Sequence, residues 1–269
     1  MDFSYFQFEP VAFAIGPFVV RWYALAYLVG FIAGWKYCLG LASRGEGGRR
    51  PNALDIDDFL TWAVIGVLLG GRLGYVLFYQ PAYYLSEPLE ALKIWKGGMS
   101  FHGGLLGVAV SMLAFSKVRK INVFRLSDII CAAAPIGLFF GRMANFVNAE
   151  LYGKVTTLPW GVNFPNVVGA RHPSQIYEAI LEGAVLFIVL FFLIRSPKAK
   201  TGAVTGAFLL GYGVFRALVE FVREPDVQIG LVGGFISMGQ ILCLPMMFGG
   251  VVLIYLAKQG TLSKIKDDA

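Results

Sequence analysis

A chain of 269 residues that is 57% hydrophobic, 15% charged and of mean hydropathy +0.66 is too oily for a water-soluble domain, where charged residues run nearer 25%. A soluble globular enzyme, a disordered tail and a nucleic-acid binder are thereby excluded. The net charge of +6 then reads as basic cytoplasmic loops rather than as a surface for a polyanion.

Crossing about 30 Å of hydrocarbon takes roughly 20 apolar residues of helix, and backbone in lipid must satisfy its own hydrogen bonds. The sequence predicts an all-α polytopic membrane protein, a single integral-membrane domain over residues 1–269. Its seven transmembrane helices are expected over about 18–38, 58–78, 98–115, 126–146, 175–194, 203–221 and 235–257. The first is too long for a cleavable signal peptide and lacks a basic leading segment. The turn Gly45-Glu46-Gly47-Gly48 is no phosphate loop, because no Lys-Ser/Thr follows it. Residues 79–97 carry Tyr79, Tyr83, Tyr84 and Trp95, with Leu85, Leu89 and Leu92 at helical spacing. They predict an amphipathic arm lying in the membrane interface. Residues 147–174, rich in Gly, Pro and Asn and carrying Trp160, predict a small extramembrane cap.

Loop charge sets the orientation. Arg44, Arg49 and Arg50; Lys117, Arg119, Lys120 and Arg125; Arg195, Lys198 and Lys200; and Lys258, Lys264 and Lys266 place thirteen basic residues on one side. Lys93, Lys96, Lys154, Arg171 and Arg223 place five on the other. The positive-inside rule therefore puts the N-terminus outside and the C-terminus in the cytoplasm.

Charges within spans are expensive and mark function by default. In that orientation Tyr23, Arg72, His102, Arg142, Asn145, Glu178, Glu182, Arg216 and Glu220 all fall in the outer half of the membrane. Lys36 and Asp128 fall in the inner half, near enough to the boundary to snorkel. One shared polar cavity opening to the outer leaflet accounts for this segregation better than scattered ion pairs. Its arginines offer planar donor forks suited to phosphate, and the phosphate at hand there is a phospholipid headgroup. Cys38, Cys131 and Cys243 show no CxxC spacing, and two histidines, His102 and His172, form no local metal motif.

The fourth span ends in Gly141-Arg142-Met143-Ala144-Asn145-Phe146-Val147-Asn148-Ala149-Glu150-Leu151-Tyr152-Gly153. This run closely resembles the signature G-R-x-[GA]-N-F-x-N-x-E-x-x-G of the bacterial prolipoprotein diacylglyceryl transferases. Gly98-Met99-Ser100-Phe101-His102-Gly103-Gly104 resembles that family's histidine motif. Gly70-Gly71-Arg72-Leu73-Gly74-Tyr75, Arg171-His172-Pro173-Ser174-Gln175, and Gly211-Tyr212-Gly213 through Arg216, Glu220 and Arg223 are similar to further family segments. The resemblance runs from about Arg21 to Gln240 in the expected order.

That resemblance implies an enzyme of the bacterial inner membrane, facing the periplasm, with a periplasmic N-terminus, arm and cap. It would move the sn-1,2-diacylglyceryl group of phosphatidylglycerol onto the lipobox cysteine of prolipoprotein signal peptides, releasing glycerol phosphate. It implies catalytic roles for His102, Arg142 and Arg216. Phosphatidylglycerol would be bound by Arg142, Tyr23, Asn145, Glu150, Gly153, Tyr212 and Glu220. Neither a metal nor another cofactor is implied. His102 suits deprotonation of the thiol because imidazole titrates near neutrality, and the arginines suit a departing phosphate. Glu178 and Glu182 read as cavity wall, Arg72 as support and His172 as a structural loop residue. The alternative is an outer-leaflet lipid or anion transporter, favoured by the recurrence of Gly-Arg at 71–72 and 141–142. No inverted repeat accompanies that echo, and polar groups confined to one half of the membrane make no through-path.

Overall fold

The computed structural model describes residues 11–16, 18–43, 50–165, 167–224, 231–232 and 236–264. Arg44, Arg49 and Lys266 of the charge pattern, and the turn at Gly45–Gly48, lie outside the described residues. Long helical runs overlap each expected segment: α1 (Trp22–Ala42), α2 (Ala53–Phe78), α4 (Phe101–Arg119), α5 (Val123–Val147), the continuous stretch α6–α7 (Ser174–Arg195), α8 (Ala203–Val219) and α9 (Met238–Lys258). All but α4 and α8 are long and apolar enough to cross a membrane, by length and composition. The 17 residues of α8 reach only about 26 Å at 1.5 Å per residue, and α4 carries Lys117 and Arg119 in its last turn.

Three boundaries correct the sequence reading. The chain is not wholly helical: β1 (Val11–Ile15) and β2 (Phe18–Arg21) pair antiparallel, so the first long helix starts at Trp22 rather than at 18. Valine-rich strands favour that pairing, and Gly16, at φ +59°, supplies the reversal. A second short pair joins β3 (Leu231–Val232) to β4 (Ile236–Ser237). The arm is not one amphipathic helix. It comprises α3 (Pro81–Ser86) followed by 3₁₀ turns at Pro88–Leu92 and Ile94–Lys96, because Pro88 disfavours helical conformation at Glu87 and lacks an N–H.

The chain divides into two compact units, one of residues 1–38 with 128–262 and the other of 39–127 with 263–269. In the second unit α2 and α4 run antiparallel along a seam of glycine. A methyl at Gly70 would stand 2.8 Å from the Gly107 Cα, and one at Gly74 2.8 Å from the Gly103 Cα. Small residues four apart let membrane helices approach at backbone distance. Phe115 packs on Phe59 and Trp62 at the far end. There Arg50 reaches both Asp55 and the Arg119 carbonyl, while Asn52 and Asp55 form a reciprocal cap for α2.

The arm is tied to α2 by one side chain. Arg72, buried, donates to the carbonyls of Glu90 (2.6 Å), Ala91 (2.8 Å), Lys93 (3.3 Å), Gly97 (2.6 Å) and Gly98 (3.1 Å). Gly97 and Gly98 adopt φ +81° and +79°, a conformation that glycine alone enters without cost and that turns their carbonyls onto the guanidinium. Beside this clasp Lys93 and Lys96 hold Glu90 at 2.5 and 2.7 Å, which lowers its carboxyl below the ordinary range. Leu85, Leu89, Leu92 and Trp95 remain exposed.

In the first unit α1 lies on α5 through Gly30, whose added methyl would meet the Phe140 Cβ at 3.1 Å. The helices α8 and α9 meet where Gly206 and Gly250 oppose each other's carbonyls. Gly202 precedes α8 at φ +88° and has no side chain with which to cap it. Asp128 of α5 supplies the missing acceptor, taking hydrogen bonds from Gly202 N (2.7 Å), Thr205 N (2.8 Å) and Thr205 Oγ1 (2.7 Å). This cap pins α5 to α8 within the unit that holds the polar site.

Candidate active site

Five charged side chains from three helical segments converge in the first unit. Arg142 comes from the last turns of α5, Glu178 ends α6, and Glu182 sits in the wider π-helical turns Ala179–Val185 that join α6 to α7 (Leu186–Arg195). Arg216 and Glu220 close α8. Arg142 Nε lies 3.1 Å from Glu178 Oε2, and its Nη2 lies 3.4 Å from Glu182 Oε2. Arg216 pairs with Glu178 Oε1 through Nη1 and with Glu220 Oε2 through Nη2, the latter at 2.9 Å. Glu178 and Glu182 are completely buried. Glu178 thus bridges the two arginines, and three carboxylates face two guanidinium groups.

This arrangement has a physical logic. A buried guanidinium without a counter-charge would cost several kcal/mol, and the glutamates remove that cost. They also fix both forks. Polar capacity is left over: Arg142 Nε and Glu178 Oε2 are close but out of hydrogen-bond alignment, and Glu182 Oε1 has no hydrogen-bond partner among the described residues. Such atoms suit a site that exchanges partners with a polar ligand. The π-helical turns are of a kind that recurs at functional sites.

The signature run wraps the cluster. Asn145, buried, donates to Glu150 Oε1 at 2.7 Å, and Asn148 donates to the same oxygen at 3.5 Å. Gln175 Nε2 donates to the Glu150 carbonyl at 2.6 Å. The chain there is strained, with Ala149 at φ +54° and Leu151 at +59°, a departure that concentrates at functional sites. Gly153 serves close approach, since a methyl there would meet the His172 Cβ at 2.7 Å and its carbonyl at 2.9 Å. Tyr23 of α1 lies within electrostatic reach of Arg142 and Glu150, and Tyr212 of α8 within reach of Glu182, Arg142 and Arg216. Tyr23 also donates to the Tyr27 hydroxyl at 3.1 Å.

The first unit therefore brings together Tyr23, Arg142, Asn145, Glu150, Tyr212, Arg216 and Glu220, with Gly153 as a packing residue. His102 lies in the second unit, exposed in the first turn of α4, where Ser100 caps the helix by accepting from Gly103 N. Arg72 also belongs to that unit and is taken up by the arm. Glu178 and Glu182 carry more than the wall role read from sequence: they are the counter-ions of both arginines. Their signal was two acids four residues apart inside a span. His172, read from sequence as a structural loop residue, accepts a backbone hydrogen bond from Gly153 and donates one to Lys154.

Apolar helices long enough to cross a bilayer, with a buried ion network at their ends, define a multi-pass membrane protein. Residues 10–256 match the family model described as Prolipoprotein diacylglyceryl transferase, and the chain belongs to that family. It is 54% identical over 256 residues to the phosphatidylglycerol–prolipoprotein diacylglyceryl transferase of Azospirillum brasilense, covering 93% of this chain and 95% of that one. It is 52% identical over 258 residues to the enzymes of the same name from Paramagnetospirillum magneticum (93% and 94% covered) and Rhodospirillum centenum (94% and 92%).

Proposed function

We infer that this protein is a membrane transferase that moves the diacylglyceryl group of phosphatidylglycerol to prolipoproteins, the first step of lipoprotein maturation. The observation that carries the reading is the near-full-length match to enzymes of that name, joined to a buried and a half-buried arginine, Arg216 and Arg142, braced by carboxylates. In the reaction the lipobox cysteine sulfur attacks the glyceryl carbon that bears the phosphate. A carbon–sulfur bond forms, the carbon–oxygen bond to phosphate breaks, and glycerol phosphate departs with the bonding electrons. Arg142 and Arg216 neutralise the charge that grows on its oxygens, a role worth about 3–4 kcal/mol per donor. Their rearrangement from Glu178, Glu182 and Glu220 toward the headgroup is the motion that this chemistry asks of the site. Tyr23, Asn145, Glu150, Tyr212 and Glu220 orient the lipid. His102 accepts the thiol proton; that assignment rests on the Gly98–Gly104 motif and on imidazole chemistry.

The orientation is seven-spanning, with the N-terminus, arm and cap periplasmic and the C-terminus cytoplasmic, as the distribution of basic loops favours. Purified protein given phosphatidylglycerol labelled in its diacylglyceryl carbons and a cysteine-containing signal peptide should form a labelled thioether stable to mild base. Release of glycerol phosphate without label on the peptide would replace this reading by lipid hydrolysis.

A further inference from the structure

We propose that Glu182 is a further catalytic residue, a general acid that rests in its neutral form and hands its proton to the phosphate oxygen that leaves the lipid; this rests on the transferase reading above. The cluster holds one carboxyl too many. Glu178 and Glu220 already match Arg142 and Arg216 charge for charge, and a third ionised carboxyl would leave an unbalanced negative charge among the helices. That charge would meet a substrate whose phosphate is itself an anion. The surplus proton belongs on the carboxyl least held by donors. Glu178 engages both guanidinium groups, and Glu220 meets Arg216 at 2.9 Å. Glu182 has no exposed surface. Among the described residues its Oε2 accepts from Arg142 Nη2 at 3.4 Å, and its Oε1 has no hydrogen-bond partner. Tyr212 of α8 also lies within electrostatic reach. An ionised carboxyl offers about four acceptor sites, so one long contact leaves it poorly solvated, and the neutral acid costs far less to bury.

The position of this carboxyl is built into the backbone. Glu182 sits in the π-helical turns Ala179–Val185, and its neighbour Gly183 presses those turns onto α5. A methyl on Gly183 would stand 2.7 Å from the Phe139 Cβ and 2.9 Å from the Phe139 Cα. Phe139 precedes Arg142 by three residues and so shares its side of α5. The close approach keeps the Glu182 carboxyl beside the Arg142 fork. A phosphate oxygen that takes over Nη2 is delivered next to the free Oε1, the atom that bears the proton.

The proton balance of the transfer has a place for such a group. A thiol and a phosphodiester anion become a thioether and glycerol phosphate. His102 takes the proton from sulfur as the carbon–sulfur bond forms. As the carbon–oxygen bond breaks, its electron pair goes to the leaving oxygen, and Glu182 protonates that oxygen. Glycerol phosphate then departs as a monoanion. Glu182, now ionised, is the counter-ion of Arg142 until water returns the proton that His102 releases. Both residues end the cycle as they began it.

The test uses the whole protein in detergent, with labelled phosphatidylglycerol and a cysteine peptide. Glutamine has the shape of a neutral carboxyl and still donates a hydrogen bond, but it has no proton to give. Glu182→Gln should unfold at the wild-type temperature and keep its KM for phosphatidylglycerol within about threefold, while kcat falls by about a hundredfold or more. Were Glu182 only an ionised counter-ion, the same variant would leave Arg142 short of charge and unfold at a lower temperature. That result overturns the proposal, and so does a kcat within about threefold of wild type. Infrared spectroscopy reads the proton on wild type itself. At neutral pH the resting protein should show the carbonyl stretch of a protonated carboxyl. Labelling the glutamates with heavy carbon should shift that band in wild type but not in Glu182→Asp, where the proton sits on aspartate. An absent band, or one that still shifts in the aspartate variant, overturns the proposal. Transfer by wild type without the band leaves the transferase reading standing alone. The band without any transfer removes that reading, and the acid role with it.

Discussion

The decisive residue is Glu178, because one buried carboxylate holds two arginines at once. Removing one partner from a buried ion pair leaves an uncompensated charge, at a cost of about 3–5 kcal/mol. Glu178→Ala should therefore lose on that order of stability in detergent unfolding, and more than Glu220→Ala, whose carboxylate pairs with one arginine, Arg216, among the described residues. Equal losses for the two variants would show that the bridge has no special weight. A second residue reports on the cap. His172 Nδ1 sits 3.3 Å from the Tyr177 hydroxyl, which also accepts from Trp160. Burial, with Lys154 nearby, lowers its pKa below the ordinary imidazole value. The unfolded chain then binds the proton more readily, so the contribution of neutral His172 is present above about pH 6.5 and lost as pH falls through the lower folded value. Thermal stability of the wild type should drop between about pH 7 and 5 by more than that of His172→Gln. Parallel curves would remove His172 from the acid response.

At the scale of the element, the arm depends on a single guanidinium. Five carbonyl acceptors converge on Arg72, and an ammonium with three donors cannot serve them all. Arg72→Lys should leave α2 and α4 paired through their glycines but loosen residues 81–98. Limited proteolysis should cut the variant there at least tenfold faster, and unchanged protection would show that the arm holds itself. This element also marks where sequence reading stops. Leu85, Leu89 and Leu92 have helical spacing, but Pro88 interrupts the helix, and no pattern in the chain announces that Arg72 binds carbonyls 18 to 26 residues away. The β1–β2 hairpin was hidden for a related reason: valine and phenylalanine serve a strand and an apolar helix equally. Long apolar helices, by contrast, were legible because lipid leaves backbone no other way to pair. The pairing of span arginines with span carboxylates was legible too, since charges within a membrane are costly and seek one another. Which carboxylate bridged which arginine was not legible, because that depends on how helices distant in sequence pack.

For the molecule as a whole, basic residues in loops set the proposed orientation, and exposed positions make it testable. Cys38, Cys131 and Cys243 are all buried, so an added surface cysteine can be read against a quiet background. Val168 in the cap is 91% exposed, and Val168→Cys should react with an impermeant maleimide in intact spheroplasts. Ser263→Cys, exposed just beyond α9, should react only after lysis. Labelling of both from one side would break the odd-span topology.

The central claim is that a carboxylate-braced arginine pair serves a departing lipid phosphate, and Arg142→Lys tests it most directly. Lysine keeps the charge beside Glu178 and Glu182 but loses the planar fork. In a variant that unfolds at the wild-type temperature, transfer of labelled diacylglyceryl from phosphatidylglycerol to a cysteine peptide should fall by two orders of magnitude or more, equivalent to about 3 kcal/mol of lost stabilisation. Transfer within threefold of wild type would contradict the account and place the phosphate away from Arg142.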